Sequence, residues 1–149
     1  MKEMKVQAIR DGTVIDHIPS QNTLKVVEML ARFEDFVTIG VNFPSGRMGT
    51  KGVVKISNRF LTDTEVNCIA LIAPTATVNQ IRDFKVVEKH QVRMPETLEG
   101  VLQCTNPKCI TNHEPVVSRF TRVTEESLEL RCDYCERVTA PDEIRFRAG

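Results

Sequence analysis

The chain lacks an excess of either charge: 20 Lys and Arg stand against 20 Asp and Glu, so the formal net charge is zero. That argues against general affinity for phosphate backbones or anionic membrane surfaces, both of which need cationic excess. No apolar run approaches a membrane span. Met1-Lys-Glu-Met-Lys5 has no apolar segment, so no secretory signal is expected and a cytoplasmic location follows. Tryptophan is absent, tyrosine occurs once, and there is neither an internal repeat nor a low-complexity stretch. The 149 residues suffice for one ordinary domain or two small ones.

Cysteine is present in a pattern. Cys104-Thr-Asn-Pro-Lys-Cys109 is a C-x4-C pair, and Cys132-Asp-Tyr-Cys135 is a C-x2-C pair. Two short loops from separate parts of a chain supply the four donors of a tetrahedral zinc ion. Four thiolates leave no place for water, which makes the expected ion structural, one per chain. Two disulfides or four free thiols are the alternatives; a reducing location favours metal. Cys68 falls in an apolar helical pattern and reads as a small buried hydrophobe.

Val6, Ala8, Ile9, Val14, Ile15 and Ile18 suggest one or two strands, broken at Gly12. Ser20 or Asn22 is the expected cap of a helix running to about Phe33, with Leu24, Val27 and Ala31 on its inner face, widened by Val26 and Leu30. Thr38–Phe43 and Val53–Ile56 read as paired strands joined by a turn at Pro44–Gly46, with Gly49 and Gly52 keeping the connection flexible. Thr62-Asp-Thr-Glu65 has the form of a capping box. The helix it opens carries Val66, Ile69, Ala70 and Ala73 on one side and stops before Pro74. Thr77–Ile81 and Phe84–Val87 complete this half as strands. The order predicts an α+β chain whose N-terminal domain, residues 1–96, is ferredoxin-like (βαββαβ). The aperiodic stretch Arg93–Thr97 marks the boundary. Residues 97–149 are expected to form a small all-β zinc domain, with Ser127–Cys132 paired to Phe120–Val123.

No catalytic constellation is evident. Asp16-His17 is the one adjacent acid–base pair, without a serine or cysteine motif beside it. His113 could replace a cysteine only if a thiolate were released. Gly46-Arg-Met-Gly-Thr-Lys51 superficially looks like a phosphate cradle but lacks the Gly-Lys-Ser/Thr ending and lies between strands. Lys51 and Lys55 share a strand face if that strand begins at Lys51, where with His17 they suit a triphosphate; a solvated lysine face is the alternative. From residue 97 onward, seven Lys and Arg face nine Asp and Glu, a balance that favours docking on a protein over binding nucleic acid.

Gly12-Thr-Val-Ile-Asp-His-Ile-Pro19, Ile39-Gly-Val-Asn-Phe-Pro-Ser-Gly46, Ala73-Pro-Thr-Ala-Thr-Val-Asn79 and the four cysteines occur in that order. Together they resemble the regulatory chain of aspartate carbamoyltransferase, from about Val6 to past Cys135. The resemblance implies a non-catalytic subunit of pyrimidine biosynthesis that forms homodimers bridging catalytic trimers. It implies an N-terminal domain that binds nucleotides, with CTP inhibiting, ATP activating and UTP acting with CTP. It also implies a C-terminal zinc domain that docks on the catalytic chain. Carried over by position, Ala8, Ile9, Val14, Asp16, His17, Lys51, Lys55, Asn79, Ile81, Val86 and Lys89 are the expected effector pocket, and Cys104, Cys109, Cys132 and Cys135 the zinc ligands. The chain departs from the family's pattern at Gln7, Phe84 and Lys108.

Overall fold

A computed structural model describes residues 8–147; Val6 and Gln7 lie outside the described residues. The chain divides into two compact units, 1–93 and 94–149.

The first unit runs β1 (Gly12–Ile18), α1 (Thr23–Leu30), β2 (Phe36–Ser45), β3 (Gly49–Ser57), α2 (Asp63–Ile72), β4 (Thr77–Arg82) and β5 (Lys85–Gln91). Its strands form one antiparallel sheet in the order β2-β3-β1-β4-β5. This is the expected ferredoxin-like arrangement, with β5 added beside β4 as a hairpin partner. Both helices cover one face. Ile15, Val54, Ile56 and Val78 of the sheet pack in one cluster with Val26, Leu30, Ile69, Ala70 and Ala73 of the helices and the residue that follows them.

α2 begins where its sequence requires. Thr62 accepts the Glu65 amide and Glu65 accepts the Thr62 amide, at 3.2 and 3.1 Å, so two orphan donors are satisfied reciprocally. Such a cap stabilises a helix by about 1 kcal/mol.

α1 departs from expectation. It ends at Leu30, short of Phe33, and its inward residues are Thr23, Val26 and Leu30, while Leu24 is 61% exposed. Of the expected face, Val26 and Leu30 are buried and Val27 packs half-buried on the same core, while Leu24 turns outward and Thr23 takes the inward place. The cause is Gly52: a Cβ there would overlap the Thr23 hydroxyl, so this glycine leaves the space that Thr23 fills. Neither Ser20 nor Asn22 caps the helix through its side chain; Ser20–Asn22 is a 3-10 turn, and the Asn22 side-chain amide donates to the Ile72 carbonyl at 3.0 Å.

Gly49 and Gly52 are in β3, and Pro44 is in β2, so the turn is confined to Gly46–Met48. Phe84 does not open a strand. Asp83 and Phe84, with φ of 50° and 64°, form a two-residue turn between the paired residues Arg82 and Lys85. Left-handed conformations at both central residues match the right-handed twist of the flanking strands.

The second unit contains β6 (Thr97–Glu99), β7 (Leu102–Gln103), β8 (Arg119–Arg122), β9 (Leu130–Cys132), β10 (Val138–Thr139) and β11 (Arg145–Phe146). The order β10-β9-β8-β6 forms one antiparallel sheet, and β7 pairs with β11. β8 and β9 pair as expected, although Ser127–Glu129 lie outside the strand. These strands are two to four residues long, and Leu98, Leu102, Phe120 and Leu130 are the large aliphatic and aromatic residues fully withdrawn from solvent.

Candidate functional site: a helix-free sheet face and a four-cysteine centre

Register determines which side chains share the sheet face opposite the helices. Val14 lies opposite Lys55 on one side and Asn79 on the other, and Asn79 lies opposite Lys89. A neighbouring row joins Gly12, Ile81 and Val86. Successive strand residues alternate sides, and a register shift in the β4–β5 pairing between Gln80 and Ile81 brings Val86 onto the same side as Lys89, so Val14, Asp16, Lys51, Lys55, Asn79, Ile81, Val86 and Lys89 belong to this one face. Ile81 is buried, Val86 and Lys89 are exposed, and the others are half-buried. Ala8 is exposed and Ile9 half-buried, just ahead of Arg10, whose carbonyl accepts the Phe84 amide at 2.9 Å.

The polar centre of the face is Asp16. The Lys51 ammonium lies 2.9 and 3.1 Å from its two carboxylate oxygens, and the His17 amide donates to it at 2.6 Å. Burial pushes this carboxyl up, but the Lys51 hydrogen bond, the His17 amide and the nearby positive charge outweigh it and hold the group below the usual carboxylate range. Lys55 is held below the usual ammonium range by burial, partly offset by attraction to Asp16.

A bulge between Ile15 and Ile18 places His17 at φ 59°, an uncommon conformation for a residue with a side chain. Three contacts secure it: the Asp16 bond, a 3.1 Å contact of Nδ1 with the Thr77 hydroxyl, and the Thr75 hydroxyl donating to the His17 carbonyl at 2.8 Å. Thr75 and Thr77 were not anticipated; neither has a spacing relation to His17 that a sequence displays. Phe84, in the turn between β4 and β5, is 62% exposed.

The second centre is sulfur. The Sγ atoms of Cys104, Cys109, Cys132 and Cys135 all lie within 4.8 Å of one another. Cys104–Cys135 and Cys109–Cys132 are 3.6 and 3.7 Å apart, far beyond a disulfide. Thiolates around a tetrahedral zinc at about 2.3 Å stand roughly 3.8 Å apart, so the geometry fits that ion. Amides of Asn106, Tyr134, Cys135 and Arg137, with the Asn106 side chain, hydrogen-bond the sulfurs. The Thr111 hydroxyl lies 3.1 Å from Cys109 Sγ. Such donors disperse thiolate charge and orient the ligands. His113 is directed away, its Nε2 2.7 Å from the Pro107 carbonyl. The four cysteines thus form a closed site for one structural metal ion.

Comparison with known proteins agrees with both halves. Residues 4–93 match the family model described as aspartate carbamoyltransferase regulatory chain, allosteric domain; residues 96–145 match the metal binding domain of the same chain. Relatives named aspartate carbamoyltransferase regulatory chain include those of Pyrococcus abyssi, 51% identical, and Pyrococcus horikoshii, 50% identical, each alignment covering 97% of both chains. That of Parabacteroides distasonis is 46% identical over 96% of this chain and 94% of its own. No helix among the described residues is long and apolar enough to cross a membrane. With an allosteric and a metal-binding domain matched in order along nearly its whole length, the chain belongs to the aspartate carbamoyltransferase regulatory chain family, whose members are non-catalytic subunits.

Proposed function

We propose that the N-terminal domain, residues 1–96, binds nucleoside triphosphates on its helix-free sheet face and biases the catalytic chain from there. CTP is the inhibitor, ATP the activator, and UTP acts together with CTP. The reading is carried by one observation: Lys51, Lys55, Asp16 and His17 meet on the face that also presents Val14, Asn79, Ile81, Val86 and Lys89. Ammonium and imidazole groups give charge-assisted bonds to phosphates. Backbone groups near Ala8, Ile9 and Ile81 accept the exocyclic amine that cytosine and adenine share. Opposed outcomes from one pocket require that the two ligands favour different global states, since equal affinity for both shifts nothing. The coupling needed is about 1–3 kcal/mol per effector.

Residues 97–149 dock on the catalytic chain, and exposed Ile110, Val117 and Val138 offer apolar surface for it. Regulatory chains pair as homodimers. Exposed Phe33, Phe36, Ile39 and Val41, on and before the edge strand β2, support that pairing. The assembly works in the cytoplasm.

Calorimetric titration of the purified chain with CTP and ATP tests the pocket. Lys51→Ala removes a phosphate partner and turns the Asp16 carboxylate loose beside the phosphates. A charge-assisted bond contributes about 1.5–3 kcal/mol, so affinity for both nucleotides is expected to fall at least about tenfold. Unchanged affinity would exclude Lys51 from the site.

A further inference from the structure

The first cysteine loop has four residues between its ligands, two more than the second, and its extra length must be held in place. Asn112, in the 3-10 turn Ile110–Asn112 after Cys109, does this. Its side-chain amide donates to the carbonyls of Cys104 and Asn106, at 3.0 and 2.8 Å. Both amide hydrogens are thereby used, one on each carbonyl. The Asn106 carbonyl also accepts the Cys109 amide at 3.0 Å, so one oxygen receives bonds from both sides of the second ligand. Asn106 is held by its side chain as well, its Oδ1 accepting the Lys108 amide at 3.0 Å.

We propose that Asn112 is a positioning residue of the metal centre, fixing the Cys104–Cys109 loop so that Asn106 reaches the sulfurs of both cysteine loops. Asn106 donates its backbone N–H to Cys104 and its side-chain amide to Cys135. It therefore bridges the two halves of the site, and Asn112 sets where it stands. Removing Asn112 takes its donor from the Cys104 carbonyl, leaves the Asn106 carbonyl held by the Cys109 amide alone, and lets Asn106 drift from both sulfurs. Outer-shell partners of this kind contribute about 10–100-fold in metal affinity. The proposal rests on the four cysteines holding the ion.

The test uses the full chain loaded with zinc, with release followed by a chromophoric chelator and the cobalt-substituted chain followed by its visible spectrum. Asn112→Ala is expected to release zinc at least about tenfold faster and to shift the cobalt–thiolate bands. Asn112→Asp, isosteric but unable to donate, is expected to do the same and serves if the alanine variant does not accumulate folded. A lowered melting temperature with parental release rate and parental cobalt spectrum would make Asn112 merely structural and overturn the proposal. If the parent chain itself took up no metal, the four-cysteine reading would fail instead.

Discussion

Replacing Cys109 with alanine is expected to abolish metal binding, unfold the second domain and prevent association with the catalytic chain, while the first domain stays folded. Cys109 is 2% exposed and takes part in the 3.7 Å sulfur pair with Cys132. Three thiolates would leave the ion an open position and the Thr111 hydroxyl without its sulfur. The size of the effect follows from how little else holds this unit together. Its strands are two to four residues long and its large buried apolar residues few. For such a unit metal binding is folding, worth about 10–16 kcal/mol in small zinc domains. Metal analysis, amide NMR spectra and size-exclusion with the catalytic chain read the three outcomes separately. A Cys109→Ala chain that retained one equivalent of zinc and co-eluted with its partner would refute the ligand assignment.

In the first domain the largest loss is expected from Arg59→Ala. The Arg59 guanidinium donates at 2.6 Å to the Leu30 carbonyl at the end of α1 and at 2.6 Å to Asp35, and it also pairs with Glu65 of the α2 capping box. The side chains of Arg59, Asp35 and Glu65 are 11%, 9% and 22% exposed. Removing the cation leaves Asp35 shielded from water without its neutralising partner. Breaking a buried pair from one side costs about 3–5 kcal/mol, a fall of at least about 10 °C in melting temperature for a domain of this size. Arg59→Lys should recover part of this, because a point charge cannot serve a carbonyl and two carboxylates as a fork does. An Arg59→Ala chain melting within a degree or two of the parent would show that the network contributes nothing.

The same network gives a pH signature. Burial pushes the Asp35 carboxyl up, but the Arg32 amide, the Arg59 hydrogen bond and the two cationic charges outweigh it and hold it below the usual range. A carboxyl depressed by folding stabilises the protein above its unfolded pKa, about 3.9, and this stabilisation is lost as pH falls through the folded value. The parent should therefore lose stability in acid more steeply than Arg59→Ala.

Arg59 also shows where sequence reading stops. Positions 35, 59 and 65 have no shared period, and only the fold brings them together. The Thr62–Glu65 box and the cysteine pairs were legible because each signal is local: its partners are three to five residues apart in the chain. The α1 stripe was legible at Val26, Val27 and Leu30, but its first inward residue was not, for the opposite reason. Leu24, Val27 and Ala31 keep helical spacing as well as Thr23, Val26 and Leu30 do, and the choice lies with Gly52 in another strand. The long reach of β2 and β3 was hidden by Pro44, Gly49 and Gly52, which commonly punctuate strands, yet here Pro44 lies on the edge strand β2, Gly49 opens β3 and Gly52 lies beneath Thr23. Lys51 and Lys55 share a face by their spacing once the strand reaches Lys51, as β3 does, but their proximity to Asp16 depends on strand pairing.

The fifth cysteine has its own consequence. Cys68 is 6% exposed inside α2, and burial with the nearby Glu65 charge pushes its thiol up to about 11. Near neutrality it carries almost no thiolate, the form that reacts. An alkylating reagent is therefore blind to the first domain. With the ion in place it finds nothing to modify; once the ion departs, every sulfur it labels reports on the second domain alone.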